Sequence, residues 1–246
     1  RSAKRPASLA TRLGWVAFLN DASSEVLARI LPLYLTLALG ATPAFVGVIE
    51  GLAESVAVFL KGVSGWLSDR ARSRKGFVLS GYGLSVAARA FYLFSLSPML
   101  LGLSRVADRV GKGLRSAPRD AMVADAAAAG RAGRDFGITR FLDTLGALAG
   151  LALVLGLGVG KGTLDERTFR ACVWIAIPVG LAALALLAFW VPRVPRSTFA
   201  PKRLSWHVPR EIRGYLAIVF LFALANSSDA FLVLKAKAAG FGLREI

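Results

Sequence analysis

The chain has 246 residues, 55% of them hydrophobic, with a net charge of +16, a mean hydropathy of +0.57 and a pI near 11.1. That hydropathy excludes an ordinary water-soluble domain, and the basic residues fall in short gaps between apolar runs, which excludes a nucleic-acid-binding face. One cysteine, Cys172, and one histidine, His207, exclude an intramolecular disulfide and a structural zinc site, and neither has an evident partner for enzyme chemistry.

The opening "RSAKRPASLATRLGW" runs straight into a long apolar segment, without a short apolar core and small-residue cleavage site, so no removable signal peptide is expected. Seven apolar segments follow: Gly14–Leu39, Pro43–Leu67, Phe77–Leu96, Met99–Asp120, Phe136–Val159, Phe169–Val191 and Gly214–Leu234. Each holds about 20 residues or more, which at about 1.5 Å per residue crosses a hydrocarbon core of about 30 Å. A lipid-facing backbone must satisfy its own hydrogen bonds, so all are expected to be helices of an all-α integral membrane bundle. The gaps on one side carry Lys4, Arg5, Arg12, Arg70, Arg74, Lys75, Arg131, Arg134, Arg193 and Arg196, whereas on the other side "GATPA" and "SLSP" carry no basic residue and "GKGTLDERTFR" carries only Lys161, Arg167 and Arg170. This bias predicts a multi-pass protein of the cytoplasmic membrane with its N-terminus in the cytoplasm.

Charges recur inside the spans. In the first, Asp21, Glu25 and Arg29 are spaced every four residues, and in the second Glu50, Glu54 and Lys61 lie within about 40° of one another on a helical wheel. The fourth begins like an ordinary span and then acquires Arg105, Asp108, Arg109, Lys112, Arg115 and Arg119, all within an arc of roughly 120°, with Asp120 just beyond it. Each ionised side chain at a helix centre costs roughly 2.5–3.5 kcal/mol, so the stripe is expected to face a bundle interior or a water-filled cavity. A surface-lying amphipathic helix would show the same charged face, but it would put both flanking loops on the wrong side for their charge. Depths agree as well. Glu25, Glu54 and Arg109 lie eleven residues beyond Gly14, Pro43 and Pro98, which places them about 16 Å in, near the midplane.

In the fifth span, Arg140 and Asp143 have the spacing of a local ion pair, and Gly146 and Gly150 form a small-xxx-small packing face. Pro32, Pro118 and Pro178 lie inside spans and permit kinks. "VGKGLRS" is not a phosphate loop, because Gly follows the Gly-Lys and no strand precedes it. Pro192–Arg213, with four prolines, reads as a linker. Beyond it the first span has an echo, Ser23-Ser24-Glu25 against Ser227-Ser228-Asp229, as in repeat-built transporters. The expected organisation is a six-helix bundle over residues 1–191, a cytoplasmic linker over 192–213 and the first helix of a second bundle over 214–246. About five further spans would complete the repeat, so the chain is expected to be a fragment.

The stretch "SGWLSDRARSRKGF" resembles the loop between the second and third helices of major facilitator superfamily transporters, carried here by Gly65, Asp69, Arg70, Arg74 and Lys75. "NDASSE", "IEGLAES", "SGYGLS" and "DRVGKGLRSAPRDAMVADA" are similar to a prokaryotic subgroup of that superfamily. The resemblance implies two six-helix bundles, a central cavity lined by the first and fourth helices, and a conformational latch in the Gly65–Lys75 loop. The fifth helix departs from the antiporter glycine-proline motif, with Gly150-Leu151, and leaves import and export both open.

The expected function is secondary transport of a small-molecule substrate by alternating access, coupled to protons, without a cofactor or metal, by a protein that is monomeric at full length. A non-transporting membrane scaffold or sensor is the alternative. The expected pathway residues are Glu25, Glu54, Asp108, Arg109 and Lys112 near the midplane, Asp21, Glu50, Arg105, Arg115 and Arg119 around them, and Asp229 in the seventh span. Counting Arg29, Lys61 and Asp120 with the first three spans' acids and the stripe, seven cations face six acids, so substrate charge cannot be read from the sequence.

Overall fold

A computed structural model describes residues 8–71, 73–94, 97–128, 130–156, 164–193, 209–225 and 229–242. Its helices are α1 (Leu9–Leu33, extended by a π-helical turn at Tyr34–Ala38), α2 (Pro43–Ser68), α3 (Lys75–Phe91), α4 (Pro98–Ala126), α5 (Ala132–Gly156), α6 (Glu166–Trp190), α7 (Arg210–Ala225) and α8 (Asp229–Ala238). Helix starts follow local capping chemistry. Ser8, Thr42 and Asp165 accept the backbone N–H of Thr11, Phe45 and Thr168, and Pro43 and Pro98 open their helices, where a missing N–H costs nothing. At Asp165, hydrogen bonds from the Thr168 hydroxyl and amide hold the carboxyl below its ordinary range.

Helices α2, α5 and α6 are each long and apolar enough to cross a membrane on composition alone. Helix α4 reaches Ala126, beyond its expected end at Asp120. The seventh apolar segment corresponds to two described helices, α7 and α8, on either side of residues 226–228, and α7 starts at Arg210, so that its first four residues fall inside the expected linker. Residues 194–208 of that linker, His207 among them, and Ser227-Ser228 of the repeat lie outside the described residues.

Helix α1 packs between α5 and α6, and α4 between α2 and α3. Backbone-to-backbone approach at glycines makes this possible. A Cβ on Gly111 would stand 2.5 Å from the Gly81 carbonyl oxygen of α3, and one on Gly150 2.5 Å from the Ala22 carbonyl oxygen of α1. The expected Gly146/Gly150 packing face therefore exists, and its partner is α1.

The interior is layered. One apolar cluster gathers Leu13, Val16, Val78, Tyr82, Met122 and Leu187 near the α1 N-terminus. A second gathers Val26, Ile30, Tyr34, Leu101, Phe169 and Val173 at the other end, where the Tyr34 and Phe169 rings stack with centroids 4.1 Å apart. Between them lie buried Asn20, Ser23, Ser85, Arg89, Asp108 and Arg115. The outside is apolar in turn, with Val58, Phe59, Phe91, Phe141, Trp174 and Phe189 exposed, the pattern of a bundle solvated by lipid rather than water. This is a multi-pass membrane protein.

Candidate functional site

The α4 stripe does not act as one wet face. Arg105, Asp108, Arg115 and Arg119 are buried against neighbouring helices, while Lys112 is exposed and Arg109 half-buried. The stripe divides because α4 packs against α2 and α3 on two sides, while its side toward α1 borders open space.

From the N-terminal end of α4 onward, Arg105 donates to both carboxylate oxygens of Glu50, at 2.8 and 3.2 Å. Arg109 pairs with Glu54 at 3.1 Å, the arginine well covered and the acid half exposed. Two residues with the same sequence depth are thus in contact. Glu25, at the same sequence depth, instead pairs with Arg29 on its own helix at 3.0 Å, so the midplane layer is two pairs rather than one cluster. Asp108 points away from the opening, to Arg89 of α3 at 3.3 Å. Arg115 donates to Ser85 at 2.6 Å and lies over the Tyr82 ring at 4.7 Å. Arg119 takes both oxygens of Asp143 on α5, at 3.2 and 3.1 Å, and Arg140 reaches both Asp143 and Asp120. The expected Arg140–Asp143 pair is thus present, but inside a network that ties α4 to α5. The Asp229 side chain lies outside the described ones, although its residue starts α8.

Arg89 was not among the expected site residues. It is 1% exposed and joins three helices, donating to Ser23 at 2.7 Å, Asn20 at 3.1 Å and Asp108 at 3.3 Å. Gly180 of α6 makes room for it, since a Cβ there would sit 3.3 Å from the guanidinium. The signal was legible: Arg89 is an ionisable residue well inside an apolar span, which by itself marks a functional candidate.

Two cavities flank the pairs. The one nearer the N-terminus of α4, outer by label only, has about 590 Å³, lies between α1, α2, α4 and α8 and is walled by Glu25, Arg29, Glu50, Glu54, Arg105 and Arg109. The inner one, about 470 Å³, lies between α1, α2, α4 and α5 and includes Asp21, Glu54, Lys61, Lys112, Arg115 and Asp143 on its wall. Glu54 belongs to both. Helices α1 and α4 both line these two cavities, and α2 lines both as well.

The Gly65–Lys75 loop is only partly brought together. Gly65 lies against Ala117 of α4, and Arg74 joins Asp69 at 2.8 Å and also pairs with Asp125 at the end of α4. Arg70 turns back onto its own helix, over the Trp66 ring at 3.8 Å. Lys75 is buried and donates to the carbonyls of Ala188 and Val191, at 2.7 and 2.6 Å, where it caps the C-terminus of α6, an end that attracts cations. Asp125 and the α6 carbonyls are partners that sequence spacing does not reveal, because they arrive from other helices. Among the described residues no cluster of His, Cys, Asp and Glu has a metal-holding arrangement.

Comparisons with known proteins agree with this architecture. The chain is 32% identical over 239 residues to an uncharacterized MFS-type transporter of Methanocaldococcus jannaschii, covering 92% of this chain and 56% of that protein. It is 34% identical over 198 residues to an uncharacterized protein of Mycobacterium tuberculosis, covering 79% of this chain and 47% of that protein. The chain therefore spans about half the length of the curated relatives it matches. Among solved structures it resembles a POT family transporter in complex with 5-aminolevulinic acid, with a TM-score of 0.67 at 18% identity over 94% of this chain and 47% of that one. It also resembles a bacterial homologue of the human lysosomal transporter Spinster in an inward-facing, unoccupied conformation, with a TM-score of 0.62 at 16% identity over 85% of this chain and 48% of that one. At such identities these structures show the fold. The family model of the Major Facilitator Superfamily matches residues 13–244, and with the helical bundle and the charged α4 in place, the chain belongs to that superfamily of transporters and is not an enzyme.

Proposed function

We propose that this chain forms the first half of a secondary transporter that moves a small solute by alternating access and couples that movement to protons, with Glu54 as the proton carrier and Arg109 as the charge it senses. Residues 1–191 form the first bundle, 192–213 the cytoplasmic linker and 214–246 the entry into a second bundle. The supporting observation is the position of Glu54. Its carboxylate is half exposed, pairs with Arg109 at 3.1 Å, and borders both the outer and the inner cavity. Desolvation favours a protonated carboxyl and a nearby guanidinium favours an ionised one. A small change in their separation as the halves rock therefore loads or releases a proton. The Asp69–Arg74–Asp125 chain links the α2–α3 loop to the end of α4 and serves as the latch that holds one state.

In the full-length protein reconstituted in liposomes, Glu54→Gln abolishes uphill uptake driven by an imposed proton gradient and leaves downhill exchange measurable. Arg109→Lys impairs both, because an ammonium does not reproduce the guanidinium's forked hydrogen bonds. Full uphill uptake by Glu54→Gln makes the pair a structural lock and moves the carrier to Glu25. If Glu25→Gln and Glu54→Gln both retain it, the proton coupling through this layer is wrong.

Orientation has its own measurement. In a Cys172→Ser background, a cysteine at Ser73 is labelled by an impermeant reagent only from the cytoplasmic side, and one at Ser97 only from outside. Labelling of both positions from one side contradicts α3 as a span.

A further inference from the structure

Most of the charge around the inner cavity is already committed. Arg119 and Arg140 hold Asp143 and Asp120, and Glu54 holds Arg109. Four ionisable residues on its wall are left over: Asp21, Lys61, Lys112 and Arg115. None of the four forms an ion pair with a described residue. Lys61 and Lys112 are exposed. Arg115 is 6% exposed, yet its contacts are the neutral Ser85 hydroxyl at 2.6 Å and the Tyr82 ring at 4.7 Å. Asp108, the carboxylate within its field on the same helix, is engaged by Arg89. Arg115 thus makes no direct ion pair, and the carboxylates within its field are Asp108 and Asp21, so its charge is balanced only at a distance. The wall of this cavity of about 470 Å³ carries five cations and four acids, of which three cations and one acid lie outside the ion pairs, and cavities of roughly 300–1,000 Å³ are the size that holds small solutes.

We infer that the inner cavity is an anion subsite, which takes the carboxylate or phosphate group of a small organic solute. Arg115 and Lys112 of α4 receive the anionic group and Lys61 of α2 supports it from the facing wall. Asp21, whose carboxylate accepts a hydrogen bond from Asn20 at 3.0 Å, is the acceptor for a hydroxyl or amino group of the same solute. The even balance of seven cations to six acids across the spans hides this bias, because tertiary pairing removes the neutralised charges from the count. The inference rests on the transporter reading above and names the substrate class of its pathway.

The test is thermal stabilisation of the full-length protein in detergent by four probes: succinate, glycerol 3-phosphate, glucose and choline. A ligand that binds only the folded state raises Tm by mass action. Succinate or glycerol 3-phosphate raises Tm, glucose and choline do not, and Lys112→Gln weakens the apparent Kd for the anion roughly tenfold, as loss of one charge-assisted hydrogen bond does. Lys61→Gln combined with Lys112→Gln removes the effect; both side chains are exposed, so the variant folds even where Arg115→Gln does not. Which of the two anions acts distinguishes a carboxylate from a phosphate. Stabilisation by glucose or choline alone, no stabilisation by any probe, or anion stabilisation unchanged in the double variant overturns the inference. The transporter reading stands or falls separately, on proton-driven flux in Glu54→Gln.

Discussion

Glu50→Gln is expected to destabilise the bundle by roughly 3–5 kcal/mol, the cost of leaving a buried guanidinium without its counter-charge. Arg105 and Glu50 are each about nine-tenths buried, and the carboxylate engages two guanidinium nitrogens. Both are removed from bulk water, so neither charge is repaid by solvent when its partner is lost. Loss of the charge is the cause, rather than loss of contact, and a second variant separates the two. Glu50→Leu combined with Arg105→Leu is expected to recover most of the stability, since apolar replacement of a buried pair is often neutral or stabilising. Thermal unfolding of the purified full-length variants, followed by tryptophan fluorescence, measures both. Equal losses in the single and double variants would mean that the site is sensitive to packing and that the pair contributes little by its charge.

Gly146→Leu is expected to disrupt the contact between α1 and α5. A Cβ at Gly146 runs into the backbone of Phe18, and one at Gly150 would lie 2.5 Å from the Ala22 carbonyl oxygen, so the side chain has no flexible neighbour to displace. Overpacking a close contact costs roughly 1–3 kcal/mol when side chains can yield, and more when the obstacle is backbone. Helix α1 would be pushed from α5, and with it Asn20 and Ser23, which hold Arg89. The control is Gly137→Ala on the same helix, where nothing lies within 4 Å of a new Cβ; it is expected to be neutral or to gain up to about 1 kcal/mol from helix propensity. Fluorescence-detected size-exclusion chromatography reads the outcome: Gly146→Leu aggregates or is lost, and Gly137→Ala elutes as the parent does. A monodisperse Gly146→Leu protein with unchanged Tm would show that α1 and α5 do not touch as described.

These effects act on different parts of the site. Glu50–Arg105 sits on the wall of the outer cavity, and the α1–α5 contact holds the polar layer beneath it. Loss of the first leaves the bundle weakened with its helices in place. Loss of the second removes the frame on which Arg89, Asp108 and the α4 stripe are mounted.

The amino-acid sequence alone determined the class of the protein, its first six helices and the faces that carry charge. Apolar run length, loop charge and a 3.6-residue period are local properties, and a helix obeys them whatever it packs against. That is why the matched depths of Glu54 and Arg109 translated into a contact, and why Gly146 and Gly150 were legible as a packing face. Which charges meet was decided only by tertiary structure. The rotation and separation of two helices are set by where small residues let backbones touch, as at Gly81 and Gly111. A turn of some tens of degrees exchanges one partner for another. So Glu25 found Arg29 rather than Arg109, Asp143 found Arg119 across helices, and Lys75 became the cap of α6. Arg89, alone in its apolar span, acquired its role when α1 and α4 brought Asn20, Ser23 and Asp108 to it, because a buried charge is tolerable only where a fold has already assembled its partners.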